Sequence, residues 1–137
     1  MIEWIVAAAL IAAPTQAAKN RAEKPMEWKG QYGGPLEPGH ETALDAKAWA
    51  RLWARLGQAA PALDFTKYFA VAVFVGEKPT GGFTVEFLEP TVRDAGLALR
   101  YRIKEPGGFS TQAIAQPWKV RAFARVKGKV SVEASEK

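Results

Sequence analysis

The 137-residue chain contains no cysteine. That absence removes disulfide frameworks, thiolate metal sites, thiol catalysis and the acylated cysteine of a lipoprotein together. Histidine is nearly absent too, with His40 in the loop Pro38-Gly39-His40-Glu41 as its single example. One imidazole without a supporting set of carboxylates does not make a zinc site. Nor does a nucleophile elbow accompany it for a Ser–His–Asp arrangement. His40 therefore reads as a surface or turn residue. Thr80-Gly81-Gly82 lacks the Lys-Ser/Thr ending and following helix of a phosphate-binding loop. No catalytic residue, metal ligand set or cofactor motif is expected.

Also missing is a hydrophobic run long enough to cross a bilayer. Trp4 to Ala13 is apolar, but at about 1.5 Å rise per residue it reaches only half a bilayer core. No stable membrane anchor is expected from it. Pro14 breaks the run, and Thr15-Gln16-Ala17-Ala18 supplies small residues for a peptidase. Residues 1–18 read as a signal peptide cleaved after Ala17 or Ala18, although Glu3 stands where Lys or Arg is usual. Residues 19–27 then form a flexible polar segment, and 28–137 a single β-rich domain. A periplasmic or secreted location follows as an expectation.

What the chain has is apolar bulk and positive charge. Hydrophobic residues make up 48%, with five Trp and seven Phe, which is enough for a core without disulfides. The net charge is +5, from 19 basic and 14 acidic residues. Such a surface favours acidic partners. Nucleic acid is not expected among them, because single-strand recognition wants aromatics interleaved with the cations and Phe123 is the one clear candidate.

The best-defined element is a helix from Ala46 to Leu56. Asp45 is its expected N-cap, and Gly57 fits the left-handed position beyond its end. Trp49, Leu52, Trp53 and Leu56 form one apolar stripe, which reads as core rather than a ligand-stacking face. Lys47, Arg51 and Arg55 line another face. Asp64 suits a turn. Short strands are expected near Trp28–Tyr32 and Glu41–Leu44. Ala70–Val75 is continuously apolar, as for a strand covered on both faces. Alternation marks strands at 83–87, 97–104 and 118–126, and Gly128 turns the chain into Val130–Val132. The expected fold is mostly β: an antiparallel, sandwich-like or partly open barrel-like sheet with one amphipathic helix packed on it.

Two surface features stand out. Lys78, Pro79, Thr80, Gly81, Gly82 and Phe83 join an apolar run to an alternating one, which predicts a hairpin with a presented turn. Phe83 and Trp118 are either interface anchors in glycine-flanked loops or core residues. The second feature is a basic stripe. Arg100, Arg102 and Lys104 share one face of their strand, and Lys119, Arg121, Arg125, Lys127 and Lys129 extend it if the last strands lie alongside. A stripe of this kind is either a solvated sheet face that blunts edge pairing or an anion site.

The order of motifs resembles the C-terminal domain of the protease complex subunit PrcB family. Ala48-Trp49-Ala-Arg-Leu52-Trp53, Pro61-Ala-Leu-Asp64-Phe65, Gly76-Glu77-Lys78-Pro79-Thr80-Gly81-Gly82-Phe83, Glu105-Pro106-Gly107-Gly108 and Gln116-Pro117-Trp118 carry the likeness over residues 40–126. It implies a small exported, non-catalytic domain that binds a protein, with a protease as the implied partner. Lipid-attached relatives need a cysteine, which this chain lacks. A second likeness is to chagasin-type protease inhibitors, which present a Pro-Thr-Thr-Gly turn, a Gly-rich loop and an Arg-Pro-Trp segment. Here Pro79-Thr80-Gly81-Gly82, Gly107-Gly108 and Gln116-Pro117-Trp118 stand in that order, with Gly81 in place of the second Thr and Gln116 in place of the Arg. The implied alternatives are thus a protease inhibitor and, from the basic stripe, an anion-binding cell-envelope module.

Overall fold

A computed structural model describes residues 26–94, 96–108 and 112–135. The expected signal peptide at 1–18 and residues 19–25 lie outside the described residues. Helix α1 spans Ala46–Arg55. Asp45 Oδ1 accepts a hydrogen bond from the Ala48 amide at 2.8 Å, satisfying one of the free donors of the first turn. At the other end Gln58 N donates to Trp53 O and Gly57 N to Ala54 O. This Schellman closure needs the left-handed Gly57, whose φ is +73°. The stripe of Trp49, Leu52, Trp53 and Leu56 is buried, as its spacing requires.

That stripe packs on a sheet of four strands in the order β1-β7-β3-β2, all antiparallel. They are β1 (Glu27–Gly30), β2 (Gly39–Ala43), β3 (Tyr68–Phe74) and β7 (Trp118–Ala124). Strand β3 is central, and its alternation divides two cores. Ala70, Ala72 and Phe74 join Trp118, Val120 and the helix stripe on one face. Phe69, Val71 and Val73 face the second sheet with Val85, Leu97, Leu99, Tyr101 and Phe123. On the helix side Trp28, Trp49, Trp53 and Trp118 meet edge to face, with centroids 5.4–5.9 Å apart. Each such ring contributes about 2–3 kcal/mol through burial.

The second sheet is built on β6 (Gly96–Lys104). Strands β4 (Thr84–Phe87) and β5 (Thr91–Arg93) pair antiparallel with it along one edge. Strand β8 (Val130–Ala134) pairs in parallel along the other. Between β4 and β5 the register slips by one, so residues 88–90 oppose 99 and 100, a bulge that bends the strand. Strands β5 and β6 form a tight hairpin entered through Asp94, which takes φ +53°.

The sandwich expectation holds, with two separate sheets rather than an open barrel. Two sequence expectations are corrected. The Lys78–Phe83 stretch does not close a hairpin: β3 pairs with β2 and β7, β4 pairs with β6, and the link crosses from one sheet to the other. β3 is apolar on both faces and takes the sheet centre, so both of its edges are occupied by other strands. The strands pair mostly antiparallel, as expected, with one parallel pair. β8 leaves β7, crosses over and lies parallel to β6. Gly96 permits that approach, since a Cβ there would stand 2.3 Å from Lys129 O. Finally, β7 lies in the helix-bearing sheet, so Lys119, Arg121 and Arg125 do not continue the stripe of Arg100, Arg102 and Lys104 along one sheet; Lys119 meets it only across the gap between the sheets, near Lys104.

Candidate functional site

Three connections leave the same end of the sandwich: 31–38 after β1, 75–83 after β3, and 105–117 after β6. Parts of all three are stitched together by backbone. Lys78 and Ala115 exchange a reciprocal pair of hydrogen bonds at 2.8 and 2.9 Å. Val75 N donates to Pro117 O and Glu77 N to Leu36 O, both at 3.0 Å. Gln116 N donates to Gln31 O at 2.9 Å, and Gly34 N to Gln116 O at 3.1 Å. A Cβ on Gly34 would lie 2.7 Å from that carbonyl, so glycine is required by proximity.

Two glutamine side chains finish the stitching. Gln31 Oε1 accepts from Gly82 N and Gln31 Nε2 donates to Phe83 O, each at 2.9 Å. Gln116 Oε1 accepts from Gly33 N, and its Nε2 donates to Glu77 Oε2. Gln31 was invisible to sequence reasoning, because one glutamine in a polar loop carries no motif. Gln116 stands in the sequence likeness where the inhibitors carry Arg, which gives no sign of this bonding role.

The predicted loop residues divide by exposure. Pro79 and Gly82 are exposed, with Gly82 at φ +98°, while Lys78, Thr80 and Phe83 are half-buried and Gly81 is buried. Phe83 packs against the inter-sheet core, and Lys78 Nζ sits 5.1 Å from its ring centre. Trp118 is core: 4% exposed, with its Nε1 donating to Tyr32 O at 2.9 Å. Gly107 and Gly108 lie in open surroundings, and among the described residues no hydrogen bond joins them to the other two loops. The exposed apolar side chains are instead Tyr32, Leu36 and Ile114, at 55%, 63% and 60% exposure. Pro79 and Ile114 border one hollow, and Tyr32 and Leu36 stand on the loop that is hydrogen-bonded to the same base; these four make up the rim.

Beside the rim, the edges of β1 and β4 enclose a cleft of about 280 Å³ lined by Lys29, Gln31, Phe83, Lys104 and Lys119. Lys119 Nζ reaches across it to Val85 O at 3.1 Å and pairs with Glu27 at 3.3 Å. Arg121 sits within 3.9 Å of the same carboxylate and over the Phe123 ring. Arg125 donates to Phe65 O and Leu44 O. On the outer face of the second sheet, Arg102 bonds Glu86 at 2.6 Å and holds that carboxyl below its ordinary value of 4.5. Arg100 stands opposite Glu133. The predicted basic stripe is thus a mixed-charge face.

His40 lies on β2, exposed, 5.9 Å from the ring of Tyr101, whose phenol is pushed up by burial. Asp64 serves the turn that was expected of it, accepting from Thr66 N and Oγ1, and these bonds hold its carboxyl low. Among the described residues no group of three or more Asp, Glu or His side chains is placed to hold a metal. No described helix is long and apolar enough to cross a membrane.

Fold and site define a two-sheet β domain with one packed helix and a loop-built apolar rim. Residues 69–123 match the family model described as PrcB C-terminal, and over that segment the chain is PrcB C-terminal-like. The match runs from β3 through β7 and includes the whole crossover loop, while α1, which also carried the sequence likeness, lies outside it. No curated protein and no solved structure matches the chain.

Proposed function

We propose that this chain is an exported, non-catalytic domain that binds another protein through the apolar rim, as an accessory of an envelope protease. The observation that carries the reading is the pairing of exposed Tyr32, Leu36, Pro79 and Ile114 with a base fixed by backbone hydrogen bonds. Apolar contact area on a preorganised loop loses little entropy on binding, which is what interface anchors need. The family match supports the association with a protease complex, and the apolar N-terminal run supports export. Trp118 is withdrawn as an anchor because it is buried. That also weakens the inhibitor alternative, whose likeness needs a presented Pro-Trp segment.

The test is affinity capture from an envelope extract with the mature protein, comparing wild type with Leu36→Glu/Ile114→Glu and with Arg100→Glu. Tryptophan fluorescence checks that each variant is folded. The wild type and Arg100→Glu should retain a protease or its complex, and the rim variant should lose it. Identical recoveries from all three proteins would refute the rim as the binding surface.

A further inference from the structure

Positive charge on this molecule is unevenly compensated. Arg55 pairs with Glu41, Arg102 with Glu86, and Lys119 and Arg121 with Glu27. Arg125, Lys127 and Lys129, on the crossover from β7 to β8, have no carboxylate within ion-pair distance among the described residues. All three line one groove of about 470 Å³ at the end of the sandwich opposite the rim. Its apolar walls are Leu44, Phe69, Val126 and Val130, and no Asp or Glu contributes to it. Arg125 is fixed there, with Nε donating to Phe65 O and Nη2 to Leu44 O, while Lys127 and Lys129 are exposed and free to close on a ligand.

We propose that this groove binds a single-chain anionic lipid with a phosphate head. The acyl chain lies over Leu44, Val126 and Val130 at the mouth of the groove, above the buried Phe69, and the phosphate is held by Arg125, Lys127 and Lys129. Charge complementarity selects the head, since one guanidinium and two ammonium-bearing side chains border one groove whose lining has no carboxylate. The apolar walls select the chain, because each methylene removed from water raises affinity up to about fourfold. The volume lies within the range of small-ligand sites, about 300–1,000 Å³. The proposal is independent of the protein-binding rim.

The experiment is calorimetric titration of the protein with dodecyl phosphate below its micelle concentration. Octyl phosphate, dodecyl maltoside, inorganic phosphate and an acidic peptide without apolar residues are titrated in parallel. Dodecyl phosphate should bind one to one, and octyl phosphate at least tenfold more weakly. The neutral dodecyl maltoside and inorganic phosphate should each be weaker again. Lys127→Glu/Lys129→Glu should lose at least tenfold, Val126→Asp should lose the chain-length dependence, and Arg100→Glu/Lys104→Glu should bind as wild type. Equal affinity for the two chain lengths would overturn the proposal. So would binding by Lys127→Glu/Lys129→Glu equal to wild type, or tighter binding of an acidic peptide without apolar residues, which would reassign the groove to proteins.

Discussion

Replacing Gln31 with alanine removes two side-chain hydrogen bonds, to Gly82 N and Phe83 O, and leaves the backbone bond from Gln116 N to Gln31 O in place. A net intramolecular hydrogen bond is worth about 0.5–1.5 kcal/mol, so the pair sets a ceiling near 3 kcal/mol. The Gly82 amide is exposed, and water replaces its lost partner at little cost. The Phe83 carbonyl is partly buried and recovers less. The expected loss is therefore about 1.5 kcal/mol. Urea unfolding followed by tryptophan fluorescence reads it directly, because Trp28, Trp49, Trp53 and Trp118 form one cluster. Amide exchange gives the local signature: Gly82 should speed up, while Lys78 and Ala115, bonded to each other by backbone, stay protected. Gln31→Glu keeps an acceptor for Gly82 N but sets an oxygen against Phe83 O, so it should destabilise at least as much as alanine. A change within about 0.3 kcal/mol together with unaltered Gly82 exchange would refute the clamp.

Further outcomes follow from other contacts. Gly96→Ala drives a Cβ to 2.3 Å from Lys129 O, a backbone atom that cannot swing aside, and should cost about 1–3 kcal/mol in thermal or urea unfolding while loosening β8 amides. Asp45→Ala removes the bond to Ala48 N and should cost about 1 kcal/mol, with fraying of the first turn of α1 seen by exchange. Glu86 has its carboxyl lowered first by the hydrogen bond from Arg102. A lowered folded-state value means its contribution is present at neutral pH and fades as pH falls below 4.5. The urea midpoints of wild type and Glu86→Gln should accordingly differ most at neutral pH and draw together as pH falls below 4.5.

Much of the fold was legible because it is written in local pattern. The stripe Trp49, Leu52, Trp53, Leu56, the cap Asp45 and the closing Gly57 fix α1 without reference to anything distant. The unbroken apolar run of β3 already implied burial on both faces, and it is the strand that divides the two cores. Pairing was less legible, since glycine and proline permit a bend without saying what lies beyond it. Pro79-Thr80-Gly81-Gly82 and the 125–129 link both read as turns between neighbouring strands, yet both carry the chain from one sheet to the other. The tight hairpin lies at Asp94, where a non-glycine residue takes a positive φ that composition does not announce. The rim escaped for a related reason. Tyr32, Leu36 and Ile114 are isolated in sequence, and long-range bonds bring their loops together: Lys78 with Ala115, Glu77 with Leu36, Val75 with Pro117, and those made by Gln31 and Gln116.

The most direct test of that convergence exploits the absence of cysteine. Lys78 and Ala115 form a hydrogen-bonded antiparallel pair, for which the Cα separation is about 5.5 Å, inside the roughly 4.4–6.8 Å that a disulfide spans. Lys78→Cys/Ala115→Cys should oxidise to a monomeric disulfide with the tryptophan cluster intact. Glu77→Cys/Thr84→Cys, the pair that a hairpin at Pro79–Gly82 would bring together, should remain reduced. Disulfide formation by the second pair and not the first would contradict the crossover and the rim built on it.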